Sequence, residues 1–363
     1  MFEPVTQFYR KYARWVPIFS FVLGFCFDLV MLRRIDELRT ILQQAAYIFI
    51  AGCLIGLELV EITKPMNPPG WLKKIWTYRE FLLHFLLGTL LNSYTIFYFK
   101  SASAFSSFAF IILLVALLIL NEFLHFGKSQ VQVHMAFWSL CITTYLVSVM
   151  PIFTSSIGLL SFIGAISLST LIYFGFAWFI KNHFASKPEL IRSHLLMPFF
   201  AVQIIFSLLY FSHAIPPVPL SVSYMGIFHE IEKEDGNYKL SYTEPSWHFW
   251  EHGDQKFYAR PGDSIYCFVQ VFLPASFKEK INIQVRWLYL DERGNWQSAD
   301  ALPFPMVGGR EEGYRAFSKK SNFQPGKWRV QIETMDNQEI GRIGLTVIAD
   351  PESSDRSLNT IIR

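Results

Sequence analysis

Residues 104–121 read Ala-Phe-Ser-Ser-Phe-Ala-Phe-Ile-Ile-Leu-Leu-Val-Ala-Leu-Leu-Ile-Leu-Asn, without a single charge. A helix rises about 1.5 Å per residue and a bilayer core is about 30 Å thick, so such a run is a candidate membrane span. Working outward, six further apolar stretches qualify: 15–32, 41–60, 80–99, 132–152, 156–180 and 195–215. Lipid offers no partner to a backbone N–H or C=O, so each must be a helix. The expected fold for residues 1–215 is therefore an α-helical membrane bundle of about seven spans.

Composition supports this division. The chain of 363 residues is 52% apolar and 17% charged, against about 25% charged in an ordinary soluble domain. Residues 1–215 carry 15 Lys/Arg and 9 Asp/Glu, and residues 216–363 carry 17 and 20. The first part is a membrane region and the rest is water-soluble. A formal net charge of +3 is too small to imply a nucleic-acid partner, and none is expected. Cys26, Cys53, Cys141 and Cys267 make no CxxC pair, so neither a disulfide framework nor a thiolate metal site is expected.

Sidedness follows from Lys and Arg in the loops. With the N-terminus in the cytoplasm, the inside segments hold eleven, among them Arg10, Lys73, Lys128 and Lys187. The outside loops hold four: Arg33, Arg34, Arg39 and Lys100. Seven spans then place the C-terminal domain outside. The first loop, with Arg33 and Arg34, dissents; a first span that failed to cross would leave six spans and reopen the assignment of sides.

Beyond the spans, Ala214-Ile-Pro-Pro-Val-Pro-Leu220 predicts a stiff polyproline spacer, with the linker at 216–222. The hydrophobic period then becomes two. In Lys327-Trp-Arg-Val-Gln-Ile-Glu-Thr334, Trp328, Val330 and Ile332 point one way, and Lys327, Arg329, Gln331 and Glu333 the other. Ile281, Ile283, Val285, Trp287 and Tyr289 form a second stripe. Residues 265–273 are apolar on both faces, as in a central strand. Short strands separated by turn signals predict an all-β immunoglobulin-like sandwich over 223–350, followed by a polar tail at 351–363. Trp287 and Trp328 are assigned to its core.

Gly313-Tyr-Arg-Ala-Phe-Ser-Lys-Lys320, Pro325-Gly-Lys-Trp-Arg-Val-Gln-Ile-Glu-Thr334 and Gly341-Arg-Ile-Gly-Leu-Thr-Val347 together resemble the end of the bacterial domain-of-unknown-function family 2914. The resemblance covers roughly 247–348. It implies a bacterial envelope protein; the apolar spans and the Lys/Arg bias add the expectation of a multi-pass inner-membrane location with a periplasmic domain. It brings no assigned activity and no catalytic residue.

Two groups of residues are candidate sites. Arg315, Lys319, Lys320, Lys327 and Arg329 are the candidates for a basic face that would meet phosphate headgroups or acidic glycans; a solvated strand face is the alternative. Trp247-His-Phe-Trp250 is a candidate platform for sugars or core. In the membrane region, Glu58, Glu61, Glu80, His84, Glu122, His125 and His134 fall at the cytoplasmic ends of spans two to five. Carboxylates and imidazoles suit a metal or a proton relay, although polar residues are also common at headgroup level. Ser161, Ala165 and Ser169 form a small-residue stripe that lets another helix approach closely.

No nucleophile elbow, HExxH or phosphate loop is present. The leading expectation is a non-enzymatic envelope protein, whose sandwich binds a protein partner or an envelope glycan or lipid. The alternative is a membrane enzyme or transporter built on the Glu/His cluster. Membrane lipid is an expected partner in either case, and no cofactor is specified.

Overall fold

The computed structural model describes residues 35–63, 79–102, 105–123, 130–183, 189, 192–234, 236–243, 252–274, 277, 283–304, 309–310, 313–351 and 356–363. Among the described residues six α-helices come first: α1 Leu38–Thr63, α2 Arg79–Ser101, α3 Phe105–Phe123, α4 Gln130–Thr154, α5 Leu159–His183 and α6 Met197–Phe211. Among the described residues, five stretches are long and apolar enough to cross a membrane: Leu38–Ile62, Leu82–Ser101, Val131–Thr154, Leu159–His183 and Arg192–Phe211. The expected span at 104–121 falls on α3, whose apolar stretch Ser107–Asn121 is shorter. The expected span at 15–32 lies outside the described residues.

The chain divides into two compact units. One takes Met1–Phe99, Ile111–Leu146 and Leu168–Ile205; the other takes Lys100–Phe110, Val147–Ser167 and Phe206–Arg363. In the first unit, buried polar side chains join helices. Gln203 Nε2 donates to Thr143 Oγ1 at 2.6 Å and lies 3.3 Å from Ser169 Oγ, linking α6 to α4 and α5. In an apolar surround such bonds hold helices in register. Ser161, Ala165 and Ser169 are all buried within this chain. Elsewhere α5 and α6 expose Leu160, Leu171, Trp178, Leu208 and Phe211.

A π-turn, Arg192–Leu196, precedes α6. Pro198 follows, and without an N–H it cannot close a regular bond back to His194. Beside it, Tyr173 Oη donates to the Leu195 carbonyl at 2.9 Å.

In the second unit, Ala214–Leu220 is buried throughout. Val218 N–H donates to the Pro216 carbonyl at 2.8 Å and Leu220 N–H to Pro217 at 2.9 Å. Polyproline II has no internal hydrogen bonds, so the expected extended spacer is instead a folded, buried turn.

Among the described residues twelve strands follow: β1 Ser221–Phe228, β2 Glu230–Glu234, β3 Asn237–Tyr242, β4 Lys256–Ala259, β5 Ile265–Phe272, β6 Ile283–Leu290, β7 Trp296–Phe304, β8 Gly309–Arg310, β9 Gly313–Lys320, β10 Gly326–Thr334, β11 Glu339–Ala349 and β12 Asn359–Ile362. They form sheets ordered β1-β5-β9-β8, β4-β11-β10-β6-β7 and β12-β3-β2. The first two share one core, which includes Ile227, Val269, Trp287, Trp328, Val330 and Leu345. Trp287 Nε1–H reaches Ser318 Oγ at 3.0 Å, from β6 to β9. Trp328 pairs with Leu345 and with Tyr289 across its neighbours.

A third layer covers the other face of β5. Phe268 packs there with Phe228 and Leu240, which explains why residues 265–273 are apolar on both sides. The segment expected to be a polar tail supplies β12, which pairs with β3. Its few apolar residues gave no strand signal, because its pairing partner is more than a hundred residues away in sequence.

Candidate functional site

The helix-end cluster is partly assembled. Glu58 Oε2 accepts from His134 Nδ1–H at 3.0 Å. The His134 ring meets the His84 ring edge-on, with centroids 5.2 Å apart. His84 Nδ1–H donates to the Asn121 carbonyl at 2.8 Å, and Asn121 Nδ2–H donates back to the His84 carbonyl at 3.1 Å. This reciprocal clasp ties α2 to α3. With Nδ1 of each imidazole committed to an oxygen, each ring is fixed in tautomer and orientation. His134 Nε2 is buried without a hydrogen-bond partner.

Glu61 is drawn away by an ion pair with Arg79, and Glu80 is exposed. The Glu122 side chain and all of His125 lie outside the described residues. Among the described residues, no group of three or more His, Cys, Asp or Glu is placed to hold a metal. Among the described residues, Glu58, His134 and His84 come together, an arrangement that suits handling a proton.

The five basic residues do not form one face. Arg315, Lys319 and Lys320 lie on β9, and Lys327 and Arg329 on β10, in different sheets. Arg315 donates to the Gly236 carbonyl at 3.0 Å and covers the Tyr238 ring. Lys319 lies over Tyr266. Lys320 is buried against Asp300 and the Trp328 ring. Arg329 stacks 4.0 Å from the Trp296 ring centroid, beside the Arg286–Glu333 and Arg342–Glu339 ion pairs. Sequence spacing brought these cations together; strand pairing separates them. The aromatic run at 247–250 lies outside the described residues.

Other charged groups in this unit are consumed structurally. Asp254 is fully buried. It accepts from the Thr243 N–H at 2.9 Å and from Thr243 Oγ1 at 3.0 Å. His229 Nε2 lies 3.2 Å from Asp254 Oδ2, and His229 Nδ1 accepts from Arg356 at 3.0 Å. Arg356 also donates to Asp263 at 2.9 Å. Burial first, and then the Arg356 charge, push the His229 pKa down to about 4. Burial pushes the Cys267 thiol well above the usual range, which disfavours the reactive thiolate.

A recess of about 320 Å³ remains. Lys100 and Ala102 border it after α2, Val222 to Met225 on β1, His252 and Gln255 between strands, and Ile340 to Ile343 on β11. At its border β11 approaches β1 closely: a Cβ on Gly341 would lie 2.3 Å from Val222 Cγ2. The Arg363 guanidinium sits 4.3 Å from the Tyr224 ring centroid, and the His252 ring 4.9 Å from it. Burial, and then Arg363, hold the His252 pKa below its ordinary value. Sequence reading missed this site. Its one local signal is Lys100, the lone cation between two apolar runs.

Residues 280–347 match a family described as protein of unknown function (DUF2914). The match lies within the 247–348 stretch that resembles that family. No curated protein matches the chain. Among solved structures, an immunoglobulin-like protein from Pseudomonas aeruginosa aligns at 12% identity, over 35% of this chain and 98% of its own, with a TM-score of 0.21. The alkylpurine DNA glycosylase AlkC of Pseudomonas fluorescens, bound to DNA containing an abasic site analog, aligns at 8% identity, over 87% and 99%, with a TM-score of 0.18. At such scores neither likeness bears on fold or activity.

Proposed function

We propose that this is a non-enzymatic, multi-pass protein of the bacterial inner membrane, whose periplasmic, immunoglobulin-like sandwich binds a ligand of the envelope at the membrane surface. The observation that carries the reading is the short path from α6 to β1. The apolar helix ends at Phe211, and the first strand begins at Ser221 after a buried turn. A sandwich attached in this way is held at the helix end rather than tethered at a distance. Large apolar side chains exposed on α5 and α6 support a lipid surround, because a water-soluble chain rarely exposes so contiguous a surface.

Sidedness is tested with Arg293→Cys, in the exposed β6–β7 turn. Labelling by a membrane-impermeant maleimide in intact spheroplasts, above the wild-type background, supports a periplasmic sandwich. Labelling only after lysis reverses the topology.

The unpartnered His134 Nε2 favours a second reading, proton transfer through Glu58 and His134. Proteoliposomes of the full chain would then acidify under a proton gradient, and Glu58→Gln would abolish it. Unchanged flux in that variant removes this reading.

A further inference from the structure

We propose that the solvent face of the β4-β11-β10-β6-β7 sheet, at Arg329 and Gly344, binds a carboxylate-bearing glycan. The proposal deepens the reading above by naming the ligand class of the sandwich, and it rests on that reading for a location in the envelope.

Trp328, Val330 and Ile332 turn into the core, so Lys327 and Arg329 stand on the opposite face of β10. Arg329 lies across from Gly344 on β11 and Leu288 on β6. Its guanidinium stacks 4.0 Å from the Trp296 ring centroid, which sets its plane and leaves the N–H edges pointing outward. Two neighbouring arginines are committed, Arg286 to Glu333 and Arg342 to Glu339. Among the described residues, no hydrogen bond or ion pair engages Arg329 or the exposed Lys327. Burial, and then the Arg342 charge, hold the Arg329 pKa below its ordinary value, and an anionic partner would stabilise the charged form. Gly344 is exposed, and a Cβ there would meet nothing within 4 Å. The bare backbone therefore leaves a shallow notch beside the guanidinium. A guanidinium fork takes a carboxylate edge-on through two parallel hydrogen bonds, and the sugar ring bearing that carboxylate would lie over the notch.

Other partners fit this face less well. A protein interface is anchored by apolar side chains at its centre, and the positions paired with Arg329 offer only Leu288. A lipid headgroup would have to reach too far. The β10–β11 turn lies against the loop between α4 and α5, where a Cβ on Gly158 would meet the Asp336 carboxylate. Arg329 is five positions back from Thr334, where β10 ends, which is about 16 Å along the strand. The free cations thus occupy the half of the face remote from the helix ends.

The test uses the full chain in a neutral detergent, with titration calorimetry and melting curves as readouts. A galacturonic acid hexamer is the probe, and maltohexaose and hexaglutamate are the comparisons. The acidic glycan should bind at least about tenfold more tightly than either. Arg329→Met should weaken it about tenfold or more, the size expected for one charge-assisted contact. Gly344→Val keeps every charge and fills the notch, so it should weaken binding by a similar factor while the melt stays at wild type. Lys239→Met, an equal loss of charge on β3, should leave binding unchanged. Equal affinity for the acidic and neutral hexamers, no binding of the acidic hexamer at millimolar concentration, or wild-type affinity in Gly344→Val overturns the proposal. Hexaglutamate bound as tightly as the glycan overturns it in favour of an acidic peptide. Binding in detergent does not depend on sidedness. Cytoplasmic labelling of Arg293→Cys would therefore overturn the periplasmic reading alone, and absent glycan binding in a correctly oriented protein would overturn only this face.

Discussion

Gly52 and Trp138 meet so closely that a β-carbon on the glycine would lie 2.5 Å from the indole ring. The Trp138 Nε1–H donates to the Ile48 carbonyl at 2.8 Å, one turn earlier on α1. The absence of a side chain at 52 thus lets a large aromatic ring lie flat on α1, and the hydrogen bond fixes its angle. Gly56 continues the surface against Phe176. Small residues at this spacing allow close helix approach where no hydrophobic effect drives association.

Gly52→Ala should therefore destabilise the helical unit, although alanine is the better helix former. The ring is pinned by its hydrogen bond and cannot move aside, so overpacking should cost about 1–3 kcal/mol. Thermal melting of the full chain in detergent measures this. A midpoint at or above wild type would show that Trp138 yields freely.

Ala165→Leu tests the small-residue stripe of α5 in the same way. Ala165 is fully buried, so a leucine there has no room, and a loss of about 1–3 kcal/mol is expected. An unchanged melt would remove the stripe from the packing argument.

Trp328→Ala and Arg329→Ala separate the two faces of β10. Trp328 is 4% exposed and lies in the shared core. Its truncation should cost about 3–5 kcal/mol through lost burial and a cavity. Arg329 stacks on Trp296 at the surface, and its loss should cost about 0.5–1 kcal/mol. Denaturant midpoints followed by tryptophan fluorescence compare them; equal midpoints would contradict the register of Trp328 opposite Leu345.

His229 makes stability depend on pH. Its folded pKa of about 4 lies below the ordinary imidazole value of about 6.5, so the unfolded chain takes up the proton more readily. The contribution is complete above pH of about 6.5, falls as pH drops from there to about 4, and is flat below, where it has lost at most about 3 kcal/mol. His229→Gln should flatten that part of the stability profile relative to wild type. A slope equal to that of wild type would mean that other groups carry it.

Much of the architecture was legible in the sequence because it depends on neighbours along the chain. Hydropathy over some twenty residues marks the apolar helices at 41–60, 80–99, 132–152 and 156–180. Strict alternation at 327–334 marks β10, and Met335 to Gln338 its turn. The candidate site was much less legible. Glu58, His84 and His134 were on the right helices, but spacing could not say that Glu61 would turn to Arg79. Nor could it say that Lys320 would enter the core beside Asp300.

The sequence by itself determined an apolar helical region followed by a β region, with Trp287 and Trp328 on inward-facing positions. These follow from the period and the hydrophobicity of each segment, which are local quantities. Tertiary structure alone decided that β9 and β10 lie in opposite sheets, dispersing the basic residues, and that residues 359–362 close a third sheet over Phe268. It also decided that the prolines at 216–219 fold into a buried turn and that Lys100 and Arg342 border one recess. Each of these depends on which distant segments pair or pack, and that choice is made by the burial of whole faces and the satisfaction of buried polar groups across the fold.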